Sequence, residues 1–188
     1  MIHPDTKILT LDVIAAEHMS DTVENVFKHY SYNMDCNTLA FATERVHITD
    51  WTGWVPLIKF IKHDECSNWF VIRGDDNKQI IVSNDQLLPV YSKETKVGFH
   101  GEVMYKWRPI SANDLYNKMK DDYLLRIRDI EDEDGLIKQF SSITIEPIKM
   151  VSKGFDIVTS PNKNATWFNA NGFHLINSCF VNNDILYK

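Results

Sequence analysis

The chain has 188 residues, 44% of them hydrophobic and 12% aromatic, which is enough for one globular domain with its own core. Its formal net charge is -6 and its 20 Lys and Arg are scattered rather than striped. That excludes direct nucleic-acid binding, whose affinity comes from clustered basic residues. Cys36, Cys66 and Cys179 form an odd set without metal-ligand spacing, which argues against a disulfide scaffold and for a reducing, cytoplasmic compartment. No leader of basic and apolar character opens the chain, and no apolar run approaches the roughly 18 residues that span a bilayer, so no membrane partner is expected.

In chain order, short apolar or alternating runs predict strands at Lys7 to Leu11, Leu39 to Ile48, Trp54 to Ile61, Trp69 to Arg73, Gln79 to Ser83 and Leu87 to Tyr91. Further runs follow at Gly101 to Trp107, Ser142 to Glu146, Phe155 to Val158 and Gly172 to Ile176. Their length, β-branched content and bounding Asn, Asp and Gly favour strands over helices. Two segments carry helical spacing instead. Val23, Val26, Phe27 and Tyr30 predict a helix capped by Ser20, and Leu115, Met119, Tyr123, Leu124, Ile127 and Ile130 predict one that Ser111 and Asp114 open. Both stripes read as ordinary core contacts. The acidic run Asp129 to Gly135 would repel itself if packed and is expected as a solvated loop.

The most informative motif lies near the end. Gly154-Phe155-Asp156-Ile157-Val158, a polar stretch, Phe168-Asn169-Ala170-Asn171-Gly172 and then Asn177-Ser178 follow one another in an order and spacing that resemble the C-terminal signature of inteins and other Hint domains. There an aromatic-Asp-aliphatic strand, a turn, a Phe, an Asn-Gly turn and a last strand end in Asn before Ser, Thr or Cys. The N-terminal half supports the likeness. Asp5-Thr6 leads into the first strand as in the first intein block, which puts Met1 at the position of the opening nucleophile. A thioether has no proton to lose and cannot take that role. Gly74 to Val90 resembles the second block, with Ser83 as its hydroxyl member and Gln86 where the family usually shows His. A glutamine amide can polarise a carbonyl but cannot shuttle a proton near neutral pH.

Two further family histidine positions are occupied by Thr166 and Ile176. His174 is a substitute candidate, but in a straight strand Phe173, Leu175 and Asn177 face one way while His174 and Ile176 face the other, so it reads first as a packed or surface histidine and only second as a catalytic one. The resemblance gives Asp156 the task of passing the acyl group between the junctions, where a carboxylate accepts a proton from the downstream nucleophile. A plain ion pair with Lys153 is the alternative for it.

The resemblance implies a mostly β, horseshoe-like Hint fold with one or two short helices, formed by residues 1–177 without a homing endonuclease. An insertion or split position lies near 129–141, and residues 178–188 form a segment of the host protein, the C-extein. It implies autocatalytic splicing with Asn177 cyclising and Ser178 as acyl acceptor, without cofactor or metal. The partners are the flanking exteins or a complementary half of a split intein. With Met1 at the nucleophile position, the expectation is an inactive precursor retaining at most cleavage after Asn177. Ser178-Cys179-Phe180-Val181 is similar to the strand after the Asp-Thr-Asp motif of family B DNA polymerases, where phage and archaeal inteins insert, which implies such a host. Two other readings stay open: an all-β binding module, whose surface Trp51, Trp54, Trp69, Trp107 and Trp167 would suit, and a Hint domain of a secreted processing protein.

Overall fold

The computed structural model describes residues 1–32, 34–42, 44–49, 53–74, 78–95, 103–119, 126–130, 137–139, 143–160 and 167–176. The strands are β1 Lys7–Asp12, β2 Glu17–Thr22, β3 Thr38–Ala40, β4 Val46–Thr49, β5 Trp54–Cys66, β6 Trp69–Gly74, β7 Gln79–Ser83, β8 Leu87–Thr95 and β9 Val103–Ser111. They continue as β10 Arg126–Ile130, β11 Ile137–Gln139, β12 Ile143–Ile148, β13 Ser152–Thr159, β14 Trp167–Ala170 and β15 Phe173–Ile176, with helices α1 Val23–Ser31 and α2 Ala112–Met119. The fold is therefore mostly β, as expected.

Among the described residues, three antiparallel sheets carry it. One runs β13-β5-β4-β1-β2 with β3 added beside β5, the second runs β11-β10-β8-β15-β14 with β9 beside β8, and the third is β12-β6-β7. Helix α1 closes the first sheet. Its Phe27 ring meets Phe60 of β5 and Phe155 of β13 at centroid separations of 6.2 and 5.5 Å, and all three are buried. Burying one such ring contributes about 1.5–3 kcal/mol, so this contact, with buried Val23 and Val26, holds the helix on the sheet.

Several sequence expectations need correction. The cap of α1 is Thr22, whose hydroxyl accepts from the Asn25 N–H at 3.3 Å; Ser20 belongs to β2. β2 is polar and shows no apolar alternation, because it is held by its register with β1 rather than by a buried face of its own. The run Leu39 to Ile48 is two strands, separated by a turn in which the Arg45 N–H reaches the Ala42 carbonyl at 3.1 Å and Glu44 takes φ +64°. The second helix opens at Ser111, which accepts from the Asp114 N–H at 3.0 Å, and is described over Ala112–Met119; Tyr123 and Leu124 lie outside the described residues. Ile127 and Ile130 lie in β10, which pairs with β8 and β11, so sheet pairing overrides the helical spacing there. Asp129 is likewise in β10, and residues 131–136 of the expected acidic loop lie outside the described residues.

The N-terminal segment is threaded between two strands. Ile2 exchanges backbone hydrogen bonds with Phe155 of β13, 2.8 and 2.9 Å, while on its other side the His3 N–H reaches the Ile81 carbonyl at 3.1 Å and the Met1 carbonyl accepts from the Ser83 N–H at 3.0 Å. Ile2 is fully buried. His3 follows with its ring edge on Trp69, its Nδ1 accepting from the Asp5 N–H at 3.3 Å and its Nε2 3.2 Å from the Ser152 hydroxyl.

At the other end, Asn171 (φ +49°) and Gly172 (φ +79°) form the turn between β14 and β15, with the two positive φ angles that a two-residue hairpin loop demands. The Asn171 amide also ties three elements together, its Oδ1 accepting from the Lys7 N–H at 2.7 Å and its Nδ2 donating to the Gln79 carbonyl at 3.1 Å.

Asn171→Ala removes both bonds and leaves a side chain that resists positive φ, so urea denaturation should show a loss of about 2 kcal/mol, against about half that for Asn171→Gly, which relieves the φ cost. Equal losses would mean that the turn geometry contributes nothing. A second expectation concerns His3. Burial pushes its imidazole below the ordinary value of 6.5, with Asp5 and Glu24 opposing only in part. A base harder to protonate in the fold than in the unfolded chain costs stability as pH falls below about 6.5. The urea midpoint should therefore drop between pH 7 and 5, and less steeply in His3→Gln; identical slopes would refute the assignment.

Candidate functional site

Residue 1 sits where the threaded segment ends, and its amino nitrogen is met by side chains from two separate elements. It lies 2.9 Å from Ser83 Oγ, 3.0 Å from Gln86 Oε1 and 3.2 Å from Asp156 Oδ1. Ser83 and Gln86 come from the tight turn joining β7 to β8, closed by the Gln86 N–H on the Ser83 carbonyl at 3.1 Å and pinned outside by Asn84 on Asn68 and by Ala112 on Gln86. Asp156 comes from β13. The Ser83 hydroxyl accepts from the Met1 nitrogen and has a short hydrogen bond to Asp85, whose carboxylate can only accept, so the serine proton points at Asp85.

Gln86 is buried, and its whole amide is engaged. While Oε1 accepts from Met1, Nε2 donates to the Leu87 carbonyl at 2.9 Å and to the Ile176 carbonyl at 2.8 Å. Two carbonyls and one amine fix which end of the amide is which. A single side chain therefore spans residue 1 and the last described residue of β15. Its N–H groups are committed to these two carbonyls.

Asp156 is shared in the same way. Its second oxygen, Oδ2, lies 3.0 Å from His63 Nε2 on β5. The partner considered from sequence, Lys153, instead donates to Glu24 at 3.0 Å and holds that carboxyl below its ordinary value. Behind Met1 lies Cys66, its sulfur 3.6 Å from the Met1 thioether. Burial pushes the Cys66 thiol up, with the Met1 amino group opposing and Asp156 adding to the rise, so it stays a protonated, unreactive wall of the site. Gly154 packs closely here. A Cβ at this position would lie 3.1 Å from the Cys66 sulfur, 3.1 Å from the Trp69 ring and 3.2 Å from the Met1 sulfur.

The other predicted residues divide. His174 is buried, as are all four residues of β15, because this strand is flanked by β8 and β14 and covered on both faces; alternation there does not separate core from surface. Thr166, Asn177 and Ser178, with the tail 178–188, lie outside the described residues. Of the tryptophans, Trp69 is fully buried with its Nε1 donating to the Cys66 carbonyl at 2.9 Å, while Trp54 is partly exposed beside His18. Trp51 lies outside the described residues. Sequence reasoning missed His63, Asp85 and Cys66. Asp85 could have been found by its place inside the Ser83–Gln86 turn; the other two depend on strand register. Among the described residues, no group of three or more His, Cys, Asp and Glu side chains is placed to hold a metal ion, and no helix is long and apolar enough to cross a membrane.

No protein-family model and no curated protein matches the chain. Solved structures do match, over almost its whole length. The transcription factor IIB Mvu mini-intein superposes with a TM-score of 0.59 at 16% identity, covering 94% of this chain and 100% of its own. An intein from a hyperthermophile gives 0.60 at 11% identity, covering 93% and 98%, and the TvoVMA intein gives 0.57 at 10%, covering 94% and 97%. Sequence divergence is wide and the path of the chain is kept: the fold of this protein is the intein fold.

Proposed function

We propose that this chain is an autocatalytic protein-splicing element, residues 1–177, with residues 178–188 as a host segment joined at Asn177-Ser178. The observation that carries this reading is the double engagement of Gln86, which hydrogen-bonds both the nitrogen of residue 1 and the carbonyl of Ile176. Excision of a chain segment needs its two ends within one reaction distance, and a general binding module has no reason to bring them together. The chemistry divides among the site residues as follows. The free amino group of Met1 stands in for the amide nitrogen of the upstream scissile bond, whose single N–H either Ser83 or Gln86 accepts; Asp156 takes the proton of the Ser178 hydroxyl as that oxygen attacks the acyl carbon, and the Asn177 side-chain nitrogen attacks its own backbone carbonyl to release Ser178 as a free amine. Thr166 is a further member. With Met1 at the first position no acyl shift occurs there, because sulfur bearing a methyl group has no stable acyl product. The sequence as it stands therefore retains only Asn177 cyclisation. The host we infer for the segment after Ser178 is a family B DNA polymerase, on the strength of Ser178 to Val181.

Prolonged incubation followed by intact-mass measurement should show slow loss of the tail 178–188, abolished in Asn177→Ala. Equal loss in both proteins would mean ordinary proteolysis. Met1→Cys placed behind a short upstream peptide should yield a ligated product of that peptide and the tail. Upstream cleavage alone would point instead to a Hint relative without splicing, and no reaction at all to an all-β binding module.

Gln86→His in that same fusion tests the turn. An imidazole can protonate the leaving nitrogen, which should speed upstream cleavage by up to about 10²-fold. It can bond the Ile176 carbonyl only when the other ring nitrogen carries the hydrogen aimed there, a hold weaker than the Gln86 amide gives, so tail release after Asn177 should slow. Parallel changes at both junctions would contradict the division of roles.

A further inference from the structure

Three positions where the resembling family carries histidine hold Gln86, Thr166 and Ile176 in this chain, yet the fold brings an imidazole to the site from elsewhere. His63 stands on β5 with its Cα paired to Gly154 of β13, and Asp156 lies two residues further along β13, on the same face. Such diagonal neighbours are within reach of a long or aromatic side chain. The residue directly opposite His63 has no side chain to interpose, so the ring spans the diagonal and Nε2 reaches Asp156 Oδ2 at 3.0 Å. The carboxylate's other oxygen is left facing the Met1 nitrogen at 3.2 Å. Asp156 is therefore not a free-swinging carboxylate. One oxygen is moored and the other presented.

We infer that His63 is the positioning residue of the splicing reaction, holding Asp156 so that its Oδ1 faces the acyl-transfer centre, and that it replaces from β5 the orienting donor missing at the family positions. The inference rests on the splicing reading above. A carboxylate with both oxygens free rotates about its last bond and presents either one. A donor fixed on Oδ2 removes that freedom before the reaction begins, which is the form in which a positioned base contributes most. Nothing is consumed at His63. The proton lost by the Ser178 hydroxyl as its oxygen bonds the acyl carbon goes to Asp156 Oδ1 and then to the departing side-chain atom of residue 1.

The experiment uses the full chain as the Met1→Cys fusion with a short upstream peptide, followed by gel and mass analysis of precursor, branched intermediate and ligated product. His63→Ala should slow formation of the branched intermediate at least tenfold, while tail release after Asn177 and the urea midpoint change little. His63→Gln, which keeps an N–H donor, should restore most of the rate. In an Asp156→Asn background His63→Ala should have no further effect, since a residue acting only through Asp156 loses its role with it. Additive losses in the double variant, or a full rate in His63→Ala with splicing intact in the parent, would overturn the inference and leave the splicing reading standing. A parent fusion that gives no product overturns the reading itself. The pair is then still testable by the nitrogen NMR signals of the His63 ring, which should shift in Asp156→Asn, and unchanged signals would show that no such pair exists.

Discussion

The site depends on one piece of backbone pairing. Ile2 bridges β13 on one side and β7 on the other, and its side chain is buried, so residue 1 cannot move without opening two strand contacts and exposing a core residue. Each lost backbone bond costs about 0.5–1.5 kcal/mol, and burying an isoleucine contributes about 1.5–3 kcal/mol. Those terms exceed the thermal energy several times over. The Met1 nitrogen consequently stays within hydrogen-bond distance of Ser83, Gln86 and Asp156, side chains at least 82 positions away from it in sequence.

Gln86 extends that constraint to the far end of the chain. Its oxygen faces residue 1 and its nitrogen faces Ile176, so a shift at either end is felt at the other through one rigid amide. A histidine at this position offers two ring nitrogens pointing roughly opposite ways, and can make one bond to each side only in a single tautomer. Glutamine trades proton transfer for a permanent three-point hold. On the splicing reading this chain has a stronger mechanical link between its junctions and a weaker chemical one.

Much of the fold was legible in the sequence, and the reasons for the gaps are physical. β5 and β7 announce themselves because local alternation and final burial agree, and β6 and β15 because short apolar runs are buried on both faces, while β14, four residues long, carries no strand pattern of its own. Nor does β2, since it is polar and owes its place to β1. The helical spacing that starts correctly at Leu115 and Met119 misleads at Ile127 and Ile130 for the converse reason: these two belong to β10, whose place is set by pairing with the distant β8 as well as with β11. In the site, Met1, Ser83, Gln86 and Asp156 were readable from motif order and are indeed neighbours. His63 was not, because its nearness to Asp156 exists only in the β5–β13 register, across 93 positions of sequence. No local signal encodes that.

The missing histidines weigh less against splicing than their number suggests. General acid–base catalysis contributes about 10²–10⁴-fold, which at 1.36 kcal/mol per decade is about 3–5 kcal/mol of barrier. Holding reacting groups in place contributes about 7–11 kcal/mol in well-oriented intramolecular reactions. On the splicing reading, the first term is the one that glutamine, threonine and isoleucine at the histidine positions forgo, and a moored Asp156 supplies part of it. The second is set by Ile2, Gln86 and the strand register around Gly154, all intact here. On the same reading, methionine at the residue-1 nucleophile position is different in kind. It lacks the atom to which the acyl group must be bonded, and no amount of positioning offsets the absence of a bond-forming partner.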